Sequence, residues 1–198
     1  MIKLKLTRPT MEYKLQVLET VQEFDDNNSN LYGVSWLQKF LDNYEWRLDY
    51  TQKSEHKETV TNWYMPWIQF LLIRESDNKL IWFINTRLEL NDALLFHWWH
   101  IWYSIRPSER QKGFATAQLF STLEIYDNMW TEKVLLTCNH LNIWSAKTIQ
   151  KCWWILENEV IDPADWELIQ RYWIDVKQWI KRWKSFFEET WINVENVL

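Results

Sequence analysis

Arg110, Gln111, Lys112 and Gly113 follow one another near the middle of the chain and together offer what an anion needs. Arg110 and Lys112 supply positive charge. Gly113 allows close backbone approach and backbone angles that a Cβ forbids. Phe114, Ala115 and Thr116 then open an apolar periodic run through Leu119 and Leu123, so the segment reads as a turn entering a helix. A helix start has unpaired N–H groups and the positive end of the dipole, and holds phosphate through backbone donors. Taken alone, a glycine among basic residues fits an ordinary solvated turn better than a phosphate cradle.

The elements that must position this turn come in a definite order. Ile2 to Leu6 alternates like a strand, and Thr10 is placed to cap a helix from Met11 to Phe24, with Tyr13, Val17, Leu18 and Val21 at helical spacing. Asp25 to Asn30 reads as a loop. Ser35 is placed to cap a second helical stretch carrying Leu37, Phe40 and Leu41, which Tyr44 to Tyr50 continues or restarts, and Thr51 to Thr61 reads as a mobile polar segment. Ile68–Glu75 and Leu80–Leu90 around the turn SDNK predict a β-hairpin. His100 to Arg106 predicts a strand stopped by Pro107, and His97 falls in the loop before it. A helix over 114–127, a strand KVLLTCN, a helix NIWSAKTIQKC and strands WILENEV and LIQRYWIDV complete the body. The pattern is a mixed, largely antiparallel α/β sheet flanked by helices. A C-terminal helical tail follows, with Val176, Trp179, Ile180, Trp183 and Phe187 on one face. That face predicts docking on the body, with dimerisation or contact with a membrane surface as the alternatives.

Bulk composition narrows the class. The chain has 198 residues, 47% hydrophobic and 25% charged, as expected of one globular domain with an appendage. A net charge of -5 with no basic stripe argues against nucleic acid. Cys138 and Cys152 are far apart, so no disulfide framework or metal site is expected, and a reducing cytoplasm is the plain reading. No signal-peptide run or membrane span stands out. Oligomeric state is open, with a homodimer among the options.

In element order and in two motifs the chain resembles the GCN5-related N-acetyltransferases. Their acyl-CoA loop, [RQ]-x-x-G-x-[GA] after the fourth strand, is matched by Arg110-Gln111-Lys112-Gly113-Phe114-Ala115. Their asparagine opening the helix after the fifth strand is matched by Asn142, with Ser145, Ala146 and Lys151 following. The likeness spans residues 1–175, the expected transferase domain, with 176–198 as a helical extension. It implies the acyl-CoA N-acyltransferase fold with acetyl-CoA as co-substrate. The pyrophosphate is then expected on the N–H groups from Gln111 to Thr116, and the pantetheine along Tyr103, Ser104 and Ile105, with Asn142 and Ser145 beside it. It also implies direct attack on the thioester by a primary amine of a small molecule or peptide. The alternative is a catalytically silent acyl-CoA-binding or interaction protein of the same fold. A sugar-binding or membrane-interface role for exposed aromatics is disfavoured, because the tryptophans recur at turns and caps.

Two departures matter. The family often has a tyrosine seven residues after the asparagine, and here Ile149 stands there. For a base the strand candidates are Glu89 and His100, each of which also fits a purely structural role. The second departure is compositional. Average usage of ~7% predicts about 14 glycines, yet the chain has 2 glycines and 17 tryptophans. In related sequences glycine usually stands where this chain has Trp98, Trp99 and Trp102, and it would be natural at Trp82, Trp130, Trp144, Trp153, Trp154 and Trp166. Trp46 and Trp173 read as genuine. Some genetic codes read UGA as glycine and others as tryptophan. Exchange of the two tables explains the paired deficit and excess. A designed or naturally tryptophan-rich protein is the competing account.

Overall fold

The computed structural model describes residues 2–35, 37–60, 65–97, 99–152, 154–162, 166–190 and 192–193. The predicted hairpin is present as β2 (Trp67–Arg74) and β3 (Lys79–Arg87), antiparallel from Trp67 opposite Arg87 to Arg74 opposite Lys79, with Ile81 the extra residue of a bulge beyond Leu72. Both faces of this hairpin are covered, so its strands read as continuous apolar runs rather than as alternation. One outer neighbour is β1 (Leu4–Thr7), antiparallel to β2. The other is β4 (Ile101–Ile105), antiparallel to β3. A second sheet holds β5 (Lys133–Asn139), β6 (Ile155–Ile161) and β7 (Leu168–Asp175) in the order β5-β7-β6.

The two sheets meet where the chain enters β4. His100 N–H donates to Leu135 O at 2.9 Å, and Leu135 N–H donates to His100 Nδ1 at 2.9 Å. Beyond that point β4 and β5 belong to separate ladders, so the strands part and leave a cleft between them.

The helices divide between the two faces of the larger sheet. Ile68, Phe70, Leu72, Trp82 and Ile84 face α4 (Phe114–Asn128), α5 (Ile143–Lys151) and α6 (Val176–Thr190) in one core. Leu71, Ile73, Leu80 and Phe83 face α1 (Lys14–Asp26) and α2 (Tyr44–Lys53) in a second. The C-terminal helix docks on the body as predicted. Val176, Trp179 and Ile180 are buried, Trp179 Nε1 donates to Cys152 O at 2.5 Å, and its ring lies 5.5 Å from that of Phe120.

Several local expectations are corrected. Thr10 makes no side-chain cap, and the first helix opens with a 3-10 turn at Met11–Tyr13. Ser35 is not a cap either. It has φ 36, and its hydroxyl accepts from Asn85 Nδ2 at 2.9 Å. Leu37–Phe40 is a separate 3-10 turn, and Asn43 caps α2 by accepting from Trp46 N–H at 3.0 Å. Thr51 to Lys53 continue α2 rather than open a loop. His97 ends a short helix, α3 (Asp92–His97), instead of lying in a loop. A two-residue strand β8 (Ile192–Asn193) pairs in parallel with β1. None of the helices among the described residues is long and apolar enough to cross a membrane.

Candidate functional site

The turn from Pro107 to Gly113 lies beside the cleft and is held from below. Glu109 is buried, and its carboxylate accepts from Arg74 Nη1 (2.8 Å), Lys79 Nζ (2.8 Å) and Lys112 Nζ (2.9 Å). Burial alone would raise the Glu109 pKa, but these three cationic donors outweigh it and hold the group down to about 2. From the α1 side, Glu23 accepts from Arg106 Nε at 2.5 Å and Ser108 N–H at 2.7 Å. An anchored turn keeps its backbone donors aimed before any ligand arrives.

Above that anchor the backbone is left-handed twice, at Gln111 (φ 62) and Gly113 (φ 81). Gly113 is the N-cap of α4 and offers no side chain to it. A Cβ built on Gly113 meets nothing within 4 Å, so the space before the helix start is open. Phe114 is buried with its ring edge-on to Trp82 at 6.2 Å, and Ala115 packs on the same core. The front of α4 is therefore fixed, while the space in front of its capping residue is open. Such a combination accepts an anion.

Inside the cleft the structure joins residues that sequence could place only on separate elements. Tyr103 of β4 lies beside Ser145 of α5, and burial pushes the Tyr103 hydroxyl up to about 12. Asn142 caps α5 by accepting from Ser145 N–H at 3.1 Å. Cys138 also contacts Ser145, and Cys152 contacts Thr116; burial raises both thiols to about 11, so both stay protonated and unreactive. Ile149 is fully buried in this core. Of the predicted binding residues, Tyr103, Thr116, Asn142 and Ser145 thus gather around one cleft.

Ser104 and Arg110 turn the other way, toward a covering loop that sequence reasoning left without a role. Ser104 Oγ accepts from Tyr32 N–H at 2.5 Å, and Arg110 Nη2 donates to Ser29 Oγ at 2.6 Å. Arg110 Nε also reaches Ile105 O at 3.3 Å, and the guanidinium lies 5.4 Å from the Phe24 ring centre. Gly33 (φ 72) presses on β4 so closely that a Cβ there would sit 2.5 Å from Trp102 O. One of only two glycines, it was the available signal for this contact. The Tyr32 ring lies tilted 5.8 Å from that of Trp102, which meets Trp99 edge-on at 5.0 Å. These rings fill space beside the β4 edge, on the α1/α2 side.

Neither base candidate is poised. Glu89 follows β3 and pairs with Lys57 at 2.7 Å on the surface. His100 is 7% exposed, and its Nδ1 already accepts the Leu135 N–H, which leaves the proton on Nε2. Burial lowers the His100 pKa to about 4. A neutral imidazole in that tautomer has no free acceptor for an amine proton. Its observed work is to tie β4 to β5 at the point of the cleft.

Four of the seven described tryptophans read as glycine positions stand out. Trp130 (φ 60) and Trp166 (φ 63) are left-handed, and each is 79% exposed. Trp82 and Trp154 are buried, with indole N–H groups that have no partner among the described residues. Trp98 and Trp153 lie outside the described residues.

No family model matches the sequence, and no curated protein matches it significantly. Solved structures do match in shape. Over 90% of this chain and 97% of the other, it is similar to a single-residue mutant of the spermidine N-acetyltransferase SpeG from Vibrio cholerae, with a TM-score of 0.62 at 16% identity. A second match is the microcin C7 self-immunity acetyltransferase MccE, determined with acetyl-CoA and AMP. There the TM-score is 0.60 at 12% identity, over 86% of this chain and 91% of that one. With its sheet split between β4 and β5, the chain has the fold of the GCN5-related N-acetyltransferases.

Proposed function

We propose that the chain is an acyl-CoA-dependent N-acyltransferase that moves an acetyl group from acetyl-CoA to a primary amine of a small molecule or short peptide. One observation carries the reading. The strands part beyond His100, and β4 runs from there to the turn that opens α4, whose capping residue, Gly113, faces open space. A ligand with a phosphate end and a thin amide-bearing arm suits that shape. The structural match to MccE, determined with acetyl-CoA, supports the choice of donor.

On this reading acetyl-CoA supplies an activated thioester, and the protein's residues hold and orient it. Gln111 to Thr116 offer backbone N–H groups to the pyrophosphate, with Arg110 and Lys112 adding charge. The parted edge of β4 from Tyr103 to Ile105 offers unpaired backbone groups to the amide-bearing arm. The Tyr103 hydroxyl, protonated across the physiological range, donates a hydrogen bond toward the leaving sulfur. The amine attacks the carbonyl carbon, the C–N bond forms as the C–S bond breaks, and the amine proton leaves through water to the sulfur. Orientation supplies most of the rate in such a reaction. Residues 1–175 are taken as the catalytic domain and 176–198 as an extension, of which α6 docks on α4. Two buried thiols kept apart fit a cytoplasmic setting.

The second reading is a silent acyl-CoA-binding protein. It is favoured by Ile149 at the position of the family's frequent tyrosine and by the engaged state of Glu89 and His100. Acetyl-CoA binding together with CoA release across an amine panel would support the transferase. Binding without release on any amine would establish the second reading.

A further inference from the structure

On the α1/α2 face of the sheet lies a buried cation with no described carboxylate beside it. Arg47 is 3% exposed. Its Nη2 donates to Val34 O (2.6 Å) and Gln69 Oε1 (3.3 Å), while Nε and Nη1 have no hydrogen-bond partner among the described residues. The rings of Tyr50 and Trp67 lie 6.0 and 5.8 Å from its guanidinium carbon and offset part of the charge. One helical turn away, the buried Tyr44 hydroxyl also lacks a partner among the described residues. Arg47 and Tyr44 line one pocket with apolar walls from Val17, Val34, Leu71 and Phe83. Burial lowers Arg47 to about 10 and raises Tyr44 to about 12, so both are protonated donors near neutral pH. A buried charge without a counterion is strongly unfavourable, and here Arg47 Nε, Arg47 Nη1 and the Tyr44 hydroxyl have no acceptor among the described residues.

We propose that this pocket binds a carboxylate, and, granted the transferase reading, that the carboxylate belongs to the acceptor. Position supports the second half. Gln69 lies opposite Asn85, and Asn85 lies opposite Trp102 of β4, so all three share the α1/α2 face. Neighbouring strands are about 4.8 Å apart, which puts the pocket roughly 10 Å from the edge of β4, with Gly33, Val34 and Ser35 covering the row between. An extended peptide rises about 3.3–3.6 Å per residue. The acceptor then carries its amine and carboxylate at the span of a short peptide of about three residues, rather than on one carbon.

The direct test uses acetate as probe at constant ionic strength, with chloride as reference, and reads the melting temperature. Acetate stabilises the protein beyond chloride, Tyr44→Phe weakens the shift, and Arg47→Met abolishes it. Arg47→Met alone melts at or above the parent, because it removes an uncompensated buried charge. An equal shift with chloride, or an unchanged shift in Arg47→Met, overturns the site. The second arm compares a tripeptide with its C-terminal amide as acceptors in the presence of acetyl-CoA. At least about a ten-fold preference in kcat/KM for the free acid is expected, lost in Arg47→Met. Acetate binding with no such preference refutes the acceptor assignment and leaves a free-anion site. Acetate binding with no turnover on any amine refutes the transferase reading instead.

A different observation carries a second inference. α4 ends in a two-bond cap, with Trp130 N–H on Asp127 O (3.0 Å) and Thr131 N–H on Tyr126 O (2.9 Å). That geometry puts Trp130 at the left-handed position usually held by glycine. Trp166 is left-handed between β6 and β7. Trp82 and Trp154 bury indole N–H groups that find no acceptor among the described residues. Sites needing a left-handed backbone and sites burying an unmatched donor share only their letter. We infer that the gene encodes glycine at these four positions through UGA. The codons decide it: UGA at all four is expected, and UGG at any refutes that site. Independently, Trp130→Gly should raise the melting temperature by about 2–4 °C. Trp46→Gly should lower it, because Trp46 lies within α2 and stacks on Tyr50 at 5.3 Å. A drop in both variants overturns the inference.

Discussion

His100 and Leu135 exchange two hydrogen bonds, backbone to backbone and backbone to ring, at the point where the two sheets touch. The pairing needs a neutral imidazole, because Nδ1 must accept. Burial keeps it neutral by lowering the pKa from the ordinary 6.5 to about 4.

The sign of the pH effect follows. Between pH 6.5 and 4 the unfolded chain takes up a proton that the folded chain refuses, so stability falls as pH falls through that window. The loss is on the order of 2–3 kcal/mol. Chemical denaturation at pH 7 and pH 4.5 should show it, and His100→Gln should flatten that part of the profile.

Glu109 works in the opposite sense of charge. Its carboxylate is held down to about 2 in the fold, against 4.5 ordinarily. The stabilisation is complete above pH 4.5 and is lost as pH falls toward 2. Glu109→Gln leaves Arg74 and Lys79 facing a neutral amide, and should cost about 2–4 kcal/mol by urea unfolding. The same change should raise KM for acetyl-CoA more than it lowers kcat, because the turn loses its anchor and the cleft does not.

The two glycines fail differently when replaced. In Gly33→Ala the new Cβ would lie 2.5 Å from Trp102 O, so the covering loop must lift from β4. A loss of more than about 2 kcal/mol is expected, since left-handed strain and a steric clash add. Proteolysis near residues 29–35 should accelerate in parallel. Gly113→Ala meets open space and should cost only the backbone term, about 1 kcal/mol.

Tyr103→Phe removes the hydroxyl that meets Ser145 in the cleft. If that hydroxyl serves the leaving sulfur, kcat should fall about ten- to a hundred-fold with little change in KM for acetyl-CoA. Equal kcat in the variant would confine the hydroxyl to packing.

Much of this architecture was legible from local pattern. The spans of β5 and α4 agree closely with the apolar runs KVLLTCN and FATAQLFSTLEIYD, because each run is long and unambiguous in period. Gly113 and Asn142 also sit where their motifs put them, one capping α4 and the other α5. What escaped depends on distant partners. Ser35 reads as a cap until Asn85, fifty residues away, claims its hydroxyl. His100 reads as a base until Leu135 occupies its acceptor nitrogen. α3 is six residues long, too short for a helical period to show. β8 exists by pairing with β1 at the far end of the chain. The Arg47 pocket is built from α2, β2 and β3 together and has no sequence signature at all.

In the proposed transferase, the open space at Gly113 and the cleft beside it receive acetyl-CoA. Calorimetric titration of acetyl-CoA into the protein and into Gly113→Ala tests it most directly, with both melting temperatures recorded. Saturable one-to-one binding is expected, weakened at least about ten-fold in Gly113→Ala while the melting temperature drops by only a few degrees. No binding, or equal binding by the two proteins, would contradict it.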